Sequence, residues 1–538
     1  MSRFDVIIVG AGAGGGVLAG LLSEGGKRVL LLEKGRNAPD YADVGRDHLR
    51  NQRLSQYGVN AGPDDLAGDP RVFEDFRTGK THTALAHQGG YMHNAFIVGG
   101  GTRVYGAQAW RFHPLDFRMA TTYGVPDGSS LADWPLTYDE LAPFYARAER
   151  ELGVAGDAGA MAHLPRFDTP YPMPPVTPDT VPGRTLRAGA VSLGWRTNPV
   201  PLAINSVPYN GRPACIHCEE CVGFACPVDA KNGSQNTLIT RAALTGRCTL
   251  VTGASVSRID RNDGGRVTGV SYFAADGVPV SVDAETVVVA GGAIETARLL
   301  LLSGIGGDQV GRHLQGHYYP CVYGRFDFEV NDGVGPGPST STCEFNHGND
   351  GVIGGAMIAD DFIVLPATFW KRNTPPGLPR WGVGAKEWMR TNYRRVLQVC
   401  GPVQEIPTAH SRVTLDPDVR DKYGIPAIRF SGATHIETVR TSAFMFDRAQ
   451  EWLQASGALE TWGTPPGQSL SGGQHQAGTC RMGDDPRTSV TDRNCRVHGH
   501  PNLYIGDGAV HVTNGGFNPF LTIMALAYRT AGHILAEG

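Results

Sequence analysis

The chain opens on a short, nearly unbroken apolar run, Phe4-Asp5-Val6-Ile7-Ile8-Val9, with the length and character of a strand buried in a parallel sheet. A glycine-rich turn follows, positions 13–24 read as a helix, and Arg28-Val29-Leu30-Leu31-Leu32 repeats the strand pattern before ending at Glu33. The same strand, tight turn and helix recur later. Thr286-Val287-Val288-Val289 leads through Ala290-Gly291-Gly292-Ala293 into a helical stretch through Leu299–Leu302 that stops at Ser303-Gly304. Thr249-Leu250-Val251 with Ala254-Ser255-Val256 predicts a further strand between them. From about 318 to 465 the pattern changes. Arg325–Val330 and Ser411–Leu415 alternate polar and apolar positions, as strands of an antiparallel sheet with one face toward a site do. Positions 120–155 and 435–455 read as helical, and the proline-rich Thr169–Gly183 as a surface linker.

At 538 residues the chain exceeds what one hydrophobic core accommodates, so two joined domains are expected. Hydrophobic residues at 41% and charged residues at 19% describe an ordinary folded protein. A net charge of −4 with no long basic run excludes a nucleic-acid footprint. No apolar stretch approaches the roughly 18–20 residues that span a bilayer. Met1-Ser2-Arg3-Phe4 runs straight into the first strand without a signal-like segment, so a cytoplasmic location is expected.

The first turn carries specific chemistry. Gly10, Gly12 and Gly15 satisfy G-x-G-x-x-G between a strand and a helix, and Glu33 lies about twenty positions on. Gly10 permits the tight turn, Gly12 lets the backbone approach a pyrophosphate, and Gly15 lets helix pack on strand. The helix N-terminus turns unpaired N–H groups toward the phosphates, and Glu33 accepts from the ribose hydroxyls. No second such motif follows a strand downstream. An enzyme reducing its flavin with NAD(P)H usually carries one, so a tightly held FAD reduced by the substrate is the simpler expectation.

Three further segments carry a resemblance. Val98-Gly99-Gly100-Gly101-Thr102 continues to Trp110-Arg111-Phe112-His113-Pro114, and Thr286–Ala293 forms the second turn. At the C-terminus His475-Gln476-Ala477-Gly478-Thr479-Cys480-Arg481-Met482-Gly483 precedes Tyr504-Ile505-Gly506-Asp507-Gly508 and Gly515-Gly516-Phe517-Asn518-Pro519-Phe520. In that order they resemble the glucose–methanol–choline (GMC) oxidoreductases over essentially the whole chain. The resemblance implies an FAD-dependent enzyme that removes hydride from a carbinol carbon, with His475 as general base and Asn518 at the second catalytic position. It implies cofactor contacts at Gly100, Gly101, Thr102, Val256, Gly291, Gly506, Asp507, Asn518 and Pro519. Some sugar oxidases of the family bind FAD through the histidine of a Thr-His-Trp segment; Arg103-Val104-Tyr105 stands here, so the flavin is expected to be non-covalent.

The residues support this independently. A histidine titrating near neutrality suits proton abstraction from a hydroxyl. Asn518 is a good N-cap and Pro519 suits a first helical position, so a helix is predicted to begin there, its positive end favouring negative charge on a bound group. His498, His500 and His511 match no catalytic position. Trp110–Phe117 and Asp133-Trp134-Pro135 look most like sugar- and glycoside-oxidising members. Oxidation of a sugar or glycoside secondary hydroxyl to a ketone is therefore expected, with oxygen, a quinone or a cytochrome as electron acceptor. A sterol or other alcohol is the rival substrate.

Four of the ten cysteines, Cys215, Cys218, Cys221 and Cys226, fall within twelve residues, and Pro227 follows. The spacing is ferredoxin-like with one extra residue before the last cysteine. Three readings stay open: reduced thiols, a zinc site, or an iron–sulfur cluster such as some related dehydrogenases use to pass electrons to a cytochrome. A flavin disulfide reductase would need the missing NAD(P)H motif.

The expected architecture is α/β. A Rossmann-like FAD-binding domain is assembled from discontinuous segments 1–118, 205–317 and 468–538. Residues 119–204 form a helical and linker insertion. Residues 318–467 form an α+β substrate domain with an antiparallel sheet.

Overall fold

The computed structural model describes residues 4–35, 68–86, 88, 91–92, 95–161, 169–176, 179–219, 221–361 and 365–537. Its organising element is a seven-stranded sheet. Cys248–Thr252, Val29–Glu33, Phe4–Val9, Pro279–Val289 and Leu503–Ile505 run parallel, and Val267–Phe273 and Ser255–Arg261 extend it antiparallel beside Pro279–Val289. The parallel strands are the apolar runs of the sequence, and Val29–Glu33 is buried along its full length. Helix Ala13–Glu24 is buried on nearly all sides, which its glycines permit because neighbouring backbone comes within contact. The fold class is the expected α/β one.

A second, wholly antiparallel sheet has the order Glu460–Gly463, Val322–Arg325, Val396–Cys400, Ile358–Asp360, Thr340–Thr342, Asn198–Pro199. Val322, Leu397, Val399 and Ile358 face one way, into a core with Leu186, Trp452 and Leu453 from helices Val181–Leu193 and Ile436–Ala455. The alternate positions Tyr323, Gln398 and Cys400 line a cavity. The strand expected at Arg325–Val330 instead spans Val322–Arg325. Its pairing with Val396–Cys400 ends at Arg325–Val396, and beyond it Phe326 and Val330 turn into the core while Phe328 stays exposed. The linker reading of Thr169–Gly183, of which 177–178 lie outside the described residues, also stops early. Thr180 caps Gly183 through its hydroxyl, and a helix begins at Val181 with Pro182 in its first turn.

A four-stranded sheet, Arg412–Arg420, Pro426–Ser431, Arg71–Glu74 and Thr81–Ala84, is joined to the main body by buried ion pairs that the sequence pattern does not reveal. Arg71, fully buried, donates to Glu295 at 2.5 Å; Lys34 pairs with Asp69 at 2.6 Å and Arg298 with Asp421 at 2.8 Å. Burial works against the Asp69 carboxylate, but Lys34, Arg298 and Arg71 together hold its pKa well below the ordinary range. Glu295→Gln would leave the Arg71 guanidinium buried without its counter-ion. A loss of about 3–5 kcal/mol is expected in denaturant unfolding of the flavin-free protein; a loss below about 1 kcal/mol would show that the pair does not hold this sheet in place.

Candidate active site

The two sheets enclose a cavity of about 940 Å³. One end is the glycine turn. A Cβ on Gly10, whose φ is +103°, would sit 2.4 Å from the Ala290 carbonyl oxygen, and one on Gly15 would sit 1.9 Å from that of Gly10. Those glycines let three backbone segments meet. Gly12 and Gly101 are different, for a Cβ on either meets nothing within 4 Å. Their absent side chains leave a cradle open to the cavity at the N-terminus of helix Ala13–Glu24, the shape and polarity that a pyrophosphate requires. The turn Gly100–Arg103 closes over it, Gly100 approaching the Cα of Gly12 so nearly that a Cβ would lie at 3.0 Å. The Thr102 hydroxyl donates to Gly99 O at 2.6 Å and accepts from Ser234 N, pinning that turn.

Glu33 accepts from Ala11 N and Gly35 N, both at 2.9 Å, and so braces the turn it was expected to serve. Burial pushes its pKa up to about 7 from an ordinary 4.5, against the pull of those two N–H groups. A raised folded-state pKa means that the folded chain holds the proton more tightly than the unfolded chain. Glu33 therefore contributes stability below about pH 4.5 that is lost as pH rises through 7. Relative to Glu33→Gln, the flavin-free wild type is expected to lose roughly 3 kcal/mol across that window. Parallel stability curves for the two proteins would contradict this.

Val256, Gly291, Asp507, Asn518 and Pro519 also line the cavity. Asp507 is committed within the fold as well: it accepts from the backbone at Gly292 N, 2.9 Å, and Ala509 N, 2.8 Å, and from the Thr296 hydroxyl at 2.6 Å. Gly506 does not line the cavity. Its carbonyl oxygen instead meets helix Ala13–Glu24 at Gly14, where a Cβ would lie only 1.7 Å away. The closing helix spans Phe520–Glu537, so Asn518 lies two residues ahead of it, and it is Pro519 O that accepts the first helical bond, from Ile523 N. Asn518 Oδ1 is buried with no hydrogen-bond partner among the described residues, so a polar group entering the cavity would satisfy it.

His475 also lines the cavity, in strand Gln474–Ala477, which pairs with Gln315–Tyr318. Gln315 faces Ala477 but His317 faces Gln474, so one extra residue is accommodated on the 474–477 side. His475 takes up that bulge at φ +62°, a left-handed conformation unusual for a residue with a Cβ. Its Nδ1 lies 2.9 Å from His317 Nδ1 and 3.1 Å from the Tyr319 hydroxyl. The Asn514 amide donates to His475 O at 2.8 Å and to Gly316 O at 3.2 Å, tying the two strands together. Sequence reasoning missed His317, Tyr319 and Asn514. The first two lie in a stretch without a motif, and their signal is only spatial. His511 is buried beneath the site against Asn514 Oδ1 at 3.1 Å.

The cysteine loop forms another wall through Glu219, Val222, Gly223 and Phe224. The buried Lys231 ammonium holds the loop by donating to Tyr105 O at 3.0 Å, Phe224 O at 2.8 Å and Cys221 O. None of the four thiols is in a disulfide, and burial raises Cys221 to about 12. Among the described residues no three or more His, Cys, Asp or Glu side chains converge as a metal site, these cysteines included.

A glycine cradle on a parallel sheet, a histidine and an asparagine lining the same cavity, and an antiparallel roof are the parts expected of a dinucleotide-dependent oxidoreductase. Comparison with known proteins agrees. GMC oxidoreductase family models match residues 171–319 and 407–527, and an FAD-binding domain model matches 3–94. The fructose dehydrogenase large subunit of Gluconobacter japonicus is 30% identical, covering 99% of this chain and 98% of that one. The 2-methyl-1,2-propanediol dehydrogenase of Mycolicibacterium austroafricanum is 31% identical, covering 98% and 95%. The crystal structure of pyridoxine 4-oxidase from Mesorbium loti shares the fold, with a TM-score of 0.62, 18% identity and 99% coverage of both chains. The chain belongs to the GMC oxidoreductase family: it is an FAD-dependent enzyme acting on CH–OH donors. No helix among the described residues is long and apolar enough to cross a membrane.

Proposed function

We propose that this enzyme oxidises a secondary hydroxyl of a sugar or glycoside to a ketone, with His475 as general base. The observation that carries the reading is the wall across the cavity from the glycine cradle. Tyr323, Asp361, Arg372, Asn373 and Gln398 all line it, and Asp361 accepts from Gln398 Nε2 at 2.6 Å. A wall of carboxylate, guanidinium, amide and phenol groups suits a ligand with many hydroxyls, since each buried polar group needs a partner. A sterol would set hydrocarbon against this polar wall and gain no hydrogen bond from it. The fructose dehydrogenase relative supports the sugar class, and the diol dehydrogenase relative supports a small alcohol as second reading.

When bound, FAD supplies the acceptor for the hydride that leaves the carbinol carbon. His475 takes the hydroxyl proton on its ring nitrogen, Asn518 bonds the same oxygen, and the two fix which face of the carbon is presented. The positive end of helix Phe520–Glu537, beside Pro519, stabilises negative charge at that end of the cavity.

The test is an anaerobic titration of the purified flavoprotein with glucose, an aryl glucoside and 2-methyl-1,2-propanediol. Bleaching of the visible flavin band by either sugar at lower concentration than the diol is the expected result. Bleaching by the diol alone would replace the sugar reading with the small-alcohol one.

A further inference from the structure

We infer that His317 is a positioning residue that fixes the tautomer of His475, so that Nδ1 carries the hydrogen and Nε2 presents the lone pair for the substrate proton. The inference rests on His475 acting as the base, but it concerns a different property, the position of one hydrogen atom.

The argument runs along a chain of three ring contacts. His317 Nε2 lies 3.0 Å from Asn514 O and 2.8 Å from Gly515 O. Carbonyl oxygens only accept, so Nε2 must carry a hydrogen. His317 is 5% exposed, and burial holds its pKa down at about 4, although the two carbonyls favour the charged form. Near neutral pH the ring is therefore neutral and Nδ1 is a bare acceptor. That acceptor faces His475 Nδ1 at 2.9 Å. Two lone pairs cannot face each other at that distance, so His475 Nδ1 supplies the hydrogen. A neutral His475 with hydrogen on Nδ1 has none on Nε2, on the opposite side of the ring. The Tyr319 hydroxyl, 3.1 Å from the same Nδ1, is able to accept the same hydrogen, so it is compatible with this tautomer.

The arrangement also serves the charged state. When His475 takes up the substrate proton at Nε2, Nδ1–H keeps its acceptor and the imidazolium is stabilised where it forms. The proton stops there. His317 does not take it, because its Nε2–H is already held by both carbonyls and the charge would move onto a more deeply buried ring. The geometry depends on the bulge at His475 and on the Asn514 amide, which grips the backbone of both strands. His317 thus stands to His475 as the orienting group stands to the base in a hydrolase triad, but as a neutral acceptor in place of a carboxylate.

The direct test is a nitrogen NMR spectrum of the holoenzyme labelled with 15N-histidine, the His475 signals being identified by their loss in His475→Asn. The expected result at neutral pH is a protonated Nδ1 and an Nε2 with the shift of an unprotonated nitrogen. The reverse pattern would overturn the inference. His317→Phe removes the acceptor, and a mixture of tautomers is expected, with kcat down on the order of 10²-fold and KM changed less than about threefold. His317→Gln supplies one N–H for the carbonyls and one oxygen for His475, and is expected to recover most of that loss. A His317→Phe enzyme with wild-type kcat, or equal losses in the two variants, would reject the positioning role. Should His475→Asn leave flavin reduction intact while the wild-type spectrum shows the expected tautomer, the base assignment fails and the tautomer assignment stands.

Discussion

His475→Ala is expected to abolish flavin reduction by substrate while leaving FAD bound. A general base contributes about 10²–10⁴-fold, so anaerobic stopped-flow bleaching should slow by at least 10². The fold should survive. His475 lies at φ +62°, and alanine bears the same backbone cost there, so the substitution adds no new strain. Its carbonyl still accepts from Asn514, since that bond is to backbone. The lost group is the ring alone. An unchanged bleaching rate would remove His475 from the chemistry and turn attention to Tyr319, which lines the same cavity. His500, whose ring meets Gly265 O at 2.6 Å, is the matched control, and His500→Ala should reduce its flavin normally.

The second large effect separates two kinds of glycine that look alike in the sequence. Gly14→Ala would drive a Cβ to 1.7 Å from Gly506 O, and Gly10→Ala would add a 2.4 Å approach to Ala290 O at φ +103°. Neither clash is with a flexible side-chain end, so strand and helix must separate. Overpacking and strain together are expected to exceed about 3 kcal/mol, yielding insoluble or unfolded protein. Gly12→Val should behave in the opposite way. Its backbone lies at φ −79°, which any residue adopts, and nothing stands within 4 Å of its Cβ. The protein is expected to fold with its native circular dichroism but to retain FAD about 10- to 100-fold more weakly, because the side chain fills the cradle. A Gly12→Val protein that purifies fully yellow would mean the cradle does not take the pyrophosphate.

These contrasts show where sequence reading is strong. Phe4–Val9, the glycine turn, helix Ala13–Glu24 and Val29–Glu33 are legible because each is decided by neighbours in the chain: a buried strand needs a continuous apolar run, and a tight turn needs a residue without a Cβ. Helix Ile436–Ala455 is legible for the same reason, its apolar stripe matching the helical repeat. Motif order along the chain was enough to place His475 and Asn518 as candidates, and the family assignment follows from that order as well as from the comparisons.

What the sequence by itself determined is therefore the dinucleotide fold, the FAD dependence and the class of donor, since these depend on short motifs with local physical causes. Only the tertiary structure decided which groups stand around the histidine. His317 and Tyr319 reach it across 158 and 156 residues, and the Asn514 amide across 39, through a bulged strand pair whose register no local pattern encodes. The same holds for Arg71 and Glu295, 224 residues apart, and for the four cysteines, whose spacing suggests a metal cage although no such convergence is found among the described residues. Local propensity acts over a few residues. The position of a hydrogen atom on an imidazole ring is set by whichever acceptors the folded chain brings beside it.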